Sequence, residues 1–198
     1  SNDYKYNLDD KTLTMVEDME NIFEFNEEYY YTRDSSMYRL DLSGVTDKLI
    51  YDFDPNEESE EEFYWQNIQH LSEQKMVFCL DETTPYFSHY CEEVWISDGT
   101  NSGTQMLFHD NSARTTNSFI EDLVALNGKI FFASGEGLYE LYINGTFKIV
   151  RDLFPGSSDY LDELYLTDDL MYFIGYDGSY NLYVSDGSFE RTIRWDEG

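Results

Sequence analysis

Short runs in which apolar and aromatic residues alternate with polar ones recur along the chain, separated by turn signals. The clearest stretch holds four such runs, Ile120 to Leu126, Lys129 to Ser134, Leu138 to Ile143 and Phe147 to Asp152. Asn127-Gly128, Gly135-Glu136-Gly137 and Asn144-Gly145-Thr146 divide them. Period-two alternation bounded by such turns predicts strands, and Asn-Gly supplies the positive φ of a tight hairpin. The same plan follows at Leu161 to Leu166, Met171 to Gly175, Asn181 to Ser185 and Arg191 to Trp195. It precedes at Asn67 to Leu71, Met76 to Leu80, Glu93 to Ser97 and Gln105 to His109, and before that at Ile22 to Phe25, Tyr29 to Arg33, Met37 to Leu42 and Lys48 to Phe53.

An acidic residue marks the end of each fourth run: Asp52, Asp110, Asp152 and Asp196. The last two intervals, about 42 to 44 residues, match the period of a four-stranded propeller blade. The longer first interval holds two insertions, the acidic run from Asn56 to Glu62 and the loop from Thr83 to Tyr90. Tyr4 to Leu8 and Leu13 to Glu17, around a turn at Asp9-Asp10 and followed by Asp18, match the third and fourth strands of a further unit. Each unit alone leaves a greasy face and open edges, so neighbours must stack, and ring closure is the usual solution. The expectation is an all-β protein, a single β-propeller domain or fragment over residues 1–198. Four complete blades fall at about 21–55, 63–111, 119–154 and 160–197, with a half blade at 3–20, in an incomplete or five-bladed ring. A β-sandwich of the same strands is the alternative.

Composition agrees with sheet. Aromatic residues make up 18% of the chain, with 18 Tyr and 14 Phe, residues that suit a pleated, half-buried surface. The 41 acidic and 12 basic residues leave a net charge of -29, which repels phosphate backbones and argues against nucleic acid as a partner. Anionic membrane surfaces are disfavoured for the same reason, and no run reaches the roughly 18 apolar residues of a spanning helix. The acidity itself reads in three ways: a solvated surface, an adaptation to salt or divalent ions, or a face for a cationic partner.

Candidate chemistry is sparse. His70, His89 and His109 lack ligand spacing and cysteine partners, so no catalytic metal or cofactor is expected. Asp52-Phe53-Asp54-Pro55-Asn56 begins like an EF-hand loop, but Glu57 stands where glycine belongs and Phe63 where the bidentate Glu belongs. Weak calcium association by Glu57 to Glu62 is the most this region implies. Sialidase chemistry needs clustered arginines, and the six here are scattered at Arg33, Arg39, Arg114, Arg151, Arg191 and Arg194. Paired carboxylates for glycoside hydrolysis arise by chance among so many acids. Tyr29-Tyr30-Tyr31 and Phe63-Tyr64-Trp65 are candidate sugar-stacking surfaces, or alternate members of each run are core, leaving about one in three free.

Glu93-Val94-Trp95-Ile96-Ser97-Asp98-Gly99-Thr100-Asn101-Ser102-Gly103-Thr104 resembles the ELWxxDGTxxGT repeat of large secreted bacterial proteins. Asn181 to Ser188 is a weaker copy, with Tyr183, Asp186 and Gly187 at the key positions and Thr192 beyond. Glu140-Leu141-Tyr142-Ile143-Asn144-Gly145-Thr146 is similar but one residue shorter, and Arg151 to Ser157 is similar to the segment that follows the motif. The resemblance implies a propeller-like, extracellular or cell-surface protein and brings no catalytic residues. Within the motif, Trp95, Tyr142 and Tyr183 are expected to pack between blades. Asp98-Gly99 and its counterparts make the hairpin, where the Asp accepts backbone N–H bonds.

Aligning units puts Phe78 with Phe132 and Glu93 with Glu140, and sets Phe132 roughly opposite Glu140. Cys79 then faces the neighbourhood of Cys91, which predicts a disulfide within one blade. Two independent buried thiols are the alternative. A disulfide implies an oxidising compartment. The functional expectation is a non-enzymatic extracellular module that binds protein or glycan partners within a larger repeat protein. The alternatives are a carbohydrate-active hydrolase with its site at the propeller mouth and a structural spacer in a surface adhesin.

Overall fold

The computed structural model describes residues 3–6, 13–16, 19–42, 47–55, 64–81, 91, 93–109, 120, 122–134, 137–153, 160–176 and 178–197. Eighteen strands account for most of them. The first two, β1 (Asp3–Tyr6) and β2 (Leu13–Val16), form an antiparallel hairpin. The rest fall into four sheets of four, each strand pairing with its neighbour in sequence. The first blade is β3 (Glu20–Phe25), β4 (Glu28–Arg33), β5 (Ser36–Arg39) and β6 (Lys48–Asp52). The second is β7 (Tyr64–Ser72), β8 (Lys75–Asp81), β9 (Glu93–Ser97) and β10 (Gln105–His109). The third is β11 (Asp122–Leu126), β12 (Lys129–Ser134), β13 (Gly137–Leu141) and β14 (Phe147–Asp152). The fourth is β15 (Tyr160–Thr167), β16 (Leu170–Tyr176), β17 (Tyr180–Ser185) and β18 (Ile193–Arg194). The described residues contain no α-helix, only the single 3-10 turns Asn101–Gly103 and Trp195–Glu197. These are the meandering blades of a β-propeller.

Blades meet face to face, and side-chain alternation decides which face meets which neighbour. Along β8, Met76, Phe78 and Leu80 join Phe25, Tyr30, Met37 and Ile50 of the first blade in one core. The intervening Val77 and Cys79 join Leu123, Ile130, Phe132 and Leu141 of the third blade in another. In β12, Ile130 and Phe132 turn back to the second blade while Phe131 and Ala133 turn forward to Leu161, Leu164, Met171 and Phe173 of the fourth. The second strands β8 and β12 are therefore buried on both faces, which explains their nearly unbroken apolar sequences.

The first strands β7, β11 and β15 come together along one side of the stack. Polar side chains tie them to one another's backbones. Gln69 donates to the Leu123 carbonyl (3.0 Å) and accepts from the Ala125 N–H (2.7 Å). Asp122 accepts from the Leu164 N–H at 2.8 Å, and a His70 ring nitrogen lies 2.8 Å from the Glu24 carbonyl oxygen.

Several strand ends differ from the sequence expectation, and three of the differences have a local cause. The run from Met37 leaves the sheet after Arg39, and Asp41 takes a hydrogen bond through its N–H to Asp47 instead (2.8 Å). β13 stops at Leu141 because Tyr142 is drawn into the turn, its N–H bonded to the Thr146 carbonyl at 2.8 Å. β18 begins only at Ile193 because Thr192 belongs to the preceding turn network. Asp18, Asp110 and the insertions at 56–62 and 83–90 lie outside the described residues.

Candidate functional site

The motif residues come together in the hairpins between third and fourth strands. Asp98 Oδ1 accepts from the Thr100 N–H (2.9 Å) and hydroxyl (2.6 Å), while Gly103 N–H donates to Thr100 Oγ1 at 3.1 Å. Ser97 and Thr104, both buried, share a 2.7 Å hydroxyl hydrogen bond, and Thr104 Oγ1 donates to the Thr100 carbonyl. The fourth blade repeats this network. Asp186 Oδ1 accepts from the Ser188 N–H (3.0 Å) and hydroxyl (2.6 Å), and Ser185 pairs with Thr192 at 2.7 Å. The hydrogen bond from Ser188 lowers the Asp186 carboxyl below its ordinary range. In the third blade Asn144 replaces the acid and holds the Thr146 N–H and hydroxyl at 3.1 and 2.7 Å.

The turn glycines have a second role that sequence reasoning missed. Gly99, Gly145 and Gly187 all have φ between 80° and 87°, and each touches the preceding blade. A Cβ at Gly99 would run into the Tyr30 hydroxyl, at Gly145 into the Leu107 carbonyl, and at Gly187 into the Phe131 ring. The Asp-Gly step thus closes the hairpin and also lets adjacent sheets approach.

Each blade also carries an aromatic pair across its second and third strands. Tyr31 lies opposite Tyr38, Phe78 opposite Trp95, Phe132 opposite Tyr139, and Phe173 opposite Tyr183. Three of these pairs are stacked, with ring centroids 5.1 to 5.6 Å apart. The counterpart of Trp95 in the third blade is therefore Tyr139, and Glu93 does not correspond to Glu140. Trp95 and Tyr183 are buried between blades, whereas Tyr142 is 36% exposed at the hairpin tip. Phe132 faces Tyr139 rather than Glu140 because the paired aromatic of the third blade stands further from its turn: Tyr139 precedes Asn144 by five residues, whereas Trp95 precedes Asp98 by three.

Cys79 and Cys91 form a disulfide, with Cα atoms 5.3 Å apart. The expected register was two to three residues off, since Cys79 pairs with Val94 and Phe78 with Trp95. Cys91 lies ahead of β9 and bridges to Ile120, its N–H bonded to the Ile120 carbonyl at 2.8 Å. The bridge joins two positions of the second blade and sits in the core shared with the third.

Most candidates for chemistry are engaged in structure. Asp52 accepts from Ser35 Oγ (3.3 Å) and the Asp54 N–H (3.1 Å), and the Phe53 ring packs edge-on against Trp65 and Trp95 at 4.8 Å. His109 lies 2.9 Å from the buried Glu93 carboxylate, which also accepts from the Trp95 indole at 2.8 Å. Arg39 pairs with Glu28, Arg191 with Asp186, Arg194 with Asp196, and Arg151 donates to the Thr192 carbonyl. Arg33 lies over the Tyr38 ring. No group of three or more His, Cys, Asp or Glu among the described residues could hold a metal ion. His89, Arg114, Asn56 to Glu62 and Phe63 lie outside those residues. Tyr29 is 39% exposed while Tyr30, Tyr31 and Trp65 are buried, so one tyrosine of that run is free for contact. Burial, together with Glu28 and Asp47 beside their hydroxyls, pushes Tyr30 and Tyr31 up to about 12.

An apolar patch remains exposed where the fourth strands of the second and third blades meet. Phe147 is half exposed, and Phe108, Phe132 and Tyr139 meet it edge-on at 5.6 to 6.0 Å. Ile149 continues the patch at 45% exposure, and Ile143 stands at 63% on the same hairpin. Lys148 pairs with the buried Glu140 at 2.9 Å and lies 5.6 Å from the Tyr142 ring centre. The Tyr142 hydroxyl and the Glu140 carboxylate hold its ammonium above the ordinary lysine range. Strand alternation puts Lys148 and Glu140 on the other face of the third blade, so the patch around Phe147 itself is aromatic and aliphatic.

No family model and no curated protein sequence matches the chain. Solved structures do. The extracellular domain of BT4673 from B. thetaiotaomicron, named as a one-component system, aligns over 92% of this chain at 14% identity and a TM-score of 0.55. The likeness is one of fold. Two others have TM-scores of 0.48: the computationally designed protein Ika8, at 12% identity over 94% of this chain, and an inactive virginiamycin B lyase from Staphylococcus aureus solved with quinupristin, at 13% over 85%. This chain spans 51% of Ika8, 24% of the BT4673 domain and 54% of the lyase. No helix among the described residues is long and apolar enough to cross a membrane.

Proposed function

We propose that this chain is a non-enzymatic extracellular interaction module, part of a larger repeat protein, that binds a protein or glycan partner. The carrying observation is the apolar patch around Phe147, where half-exposed aromatic and aliphatic side chains are held by packing within a strand. Rings fixed in this way offer contact area at little entropic expense. The Cys79–Cys91 disulfide supports an oxidising compartment, as does the likeness of fold to an extracellular domain. The resemblance to the ELWxxDGT repeat points the same way, and the residues it shares with this chain serve turns and blade contacts.

A glycan array and an array of extracellular proteins, run beside a glycoside hydrolase screen, test the reading. Binding is expected on one array and a loss of tenfold or more in Phe147→Asp, with urea unfolding showing that the variant is still folded. Hydrolysis in the screen would favour a carbohydrate-active enzyme, and silence throughout would favour a spacer.

A further inference from the structure

Forward-facing positions are fully buried in the second and third blades and half open in the fourth. In the second blade these positions are Val77, Cys79, Val94 and Ile96, all 2% exposed or less. In the third they are Phe131, Ala133, Leu138 and Glu140, all 5% exposed or less. Strand register places Tyr172, Ile174, Leu182 and Val184 at the same four positions of the fourth blade. There Leu182 is 39% exposed and the other three are only partly buried, while Trp195 packs on Tyr172 and is itself 56% exposed.

This face is shaped like the interface that repeats before it. The residue equivalent to Tyr172 is Tyr30 in the first blade and Phe131 in the third. On each of these rings rests the turn glycine of the following blade, Gly99 on Tyr30 and Gly187 on Phe131. Val77, the equivalent in the second blade, has no ring, and there Gly145 meets the Leu107 carbonyl instead. A ring at position 172 therefore prepares the seat for a glycine turn.

We infer that the outer face of the fourth blade is the docking surface for a further blade of the same repeat, carried by the same polypeptide, whose turn glycine rests on the Tyr172 ring. The inference rests on reading this chain as part of a larger repeat protein. Its chemistry is specific: an antiparallel four-stranded sheet with an Asp-Gly or Asn-Gly hairpin between its third and fourth strands. Uncharged side chains dominate the seat in a chain of net charge -29. Such a surface suits permanent burial better than solvent contact.

The test joins a second copy of residues 153–198 after Gly198. Two versions are compared, one with the copied glycine and one with valine at that copied position only. The glycine version should resist limited proteolysis as one unit, its added blade surviving at least tenfold longer than in the valine version. Equal trimming of both versions back to the parent chain would overturn the inference. So would a parent chain that dimerises and is made monomeric by Tyr172→Glu, because the face would then belong to a second copy. The urea midpoint of the parent portion reports whether the valine version is otherwise folded. Partner binding at the Phe147 patch, assayed on the same proteins, reports separately on the functional reading.

Discussion

Replacing Gly187 by alanine should destabilise the protein more than any turn strain explains. Two terms act at this position. A left-handed conformation costs an L-residue roughly 1–2 kcal/mol, and φ here is 87°. The new methyl would also lie inside van der Waals distance of three atoms of the Phe131 ring, which is buried and cannot swing away. Overpacking of this kind costs about 1–3 kcal/mol. Gly178 separates the two terms, since its φ is 92° but no atom of the described residues lies within 4 Å of a Cβ placed there. Urea unfolding should place Gly178→Ala about 1–2 kcal/mol below the parent and Gly187→Ala a further 1–3 kcal/mol below that. With a slope near 2 kcal/mol/M, the extra loss is a midpoint shift of about 0.5–1.5 M. Shortening the ring in Phe131→Leu/Gly187→Ala should recover part of the loss, a coupling of at least about 1 kcal/mol. Equal losses at Gly178 and Gly187, or no coupling to residue 131, would refute the idea that turn glycines set the distance between blades.

Two further outcomes are expected. The denatured, unreduced protein should show no free thiol, and Cys79→Ala/Cys91→Ala should lower stability by about 3 kcal/mol, as a loop of this length predicts; two titratable thiols would contradict the bridge. Because folding raises the Tyr30 and Tyr31 pKa to about 12, the native state holds protons that the unfolded state releases near 10. Their contribution is therefore fully present below pH 10 and falls as pH rises toward 12. Ultraviolet titration should show these two phenols ionising last, together with unfolding, and ionisation near pH 10 with the fold intact would count against their burial.

Strand positions were legible because each blade buries alternate residues on opposite sides, leaving a period-two signal bounded by Asn-Gly and Asp-Gly. The disulfide was legible for the same reason, although its register slipped because Cys91 lies before β9 rather than opposite Cys79. Tyr142 misled because a motif match counts residues along the chain, whereas a sheet pairs them across it. Pairing makes Tyr139 the partner of Phe132, and only the hairpin geometry reveals that. The contacts of the turn glycines join residues far apart in sequence, such as Gly99 and Tyr30, so no local pattern announces them. The Phe147 patch was equally hidden, since its residues come from strands of two different blades.

The three cores between successive blades have no residue in common, each being completed by one pair of adjoining sheets. Coupling in such a molecule runs only between nearest neighbours. Under mechanical load the sheets should therefore peel away one at a time from an end, in steps of similar length, rather than yield together. Gene duplication meets the same simplicity. A unit copied or lost at an end must match one neighbouring face alone, so arrays built this way can change length over evolutionary time without redesign of the sheets that stay.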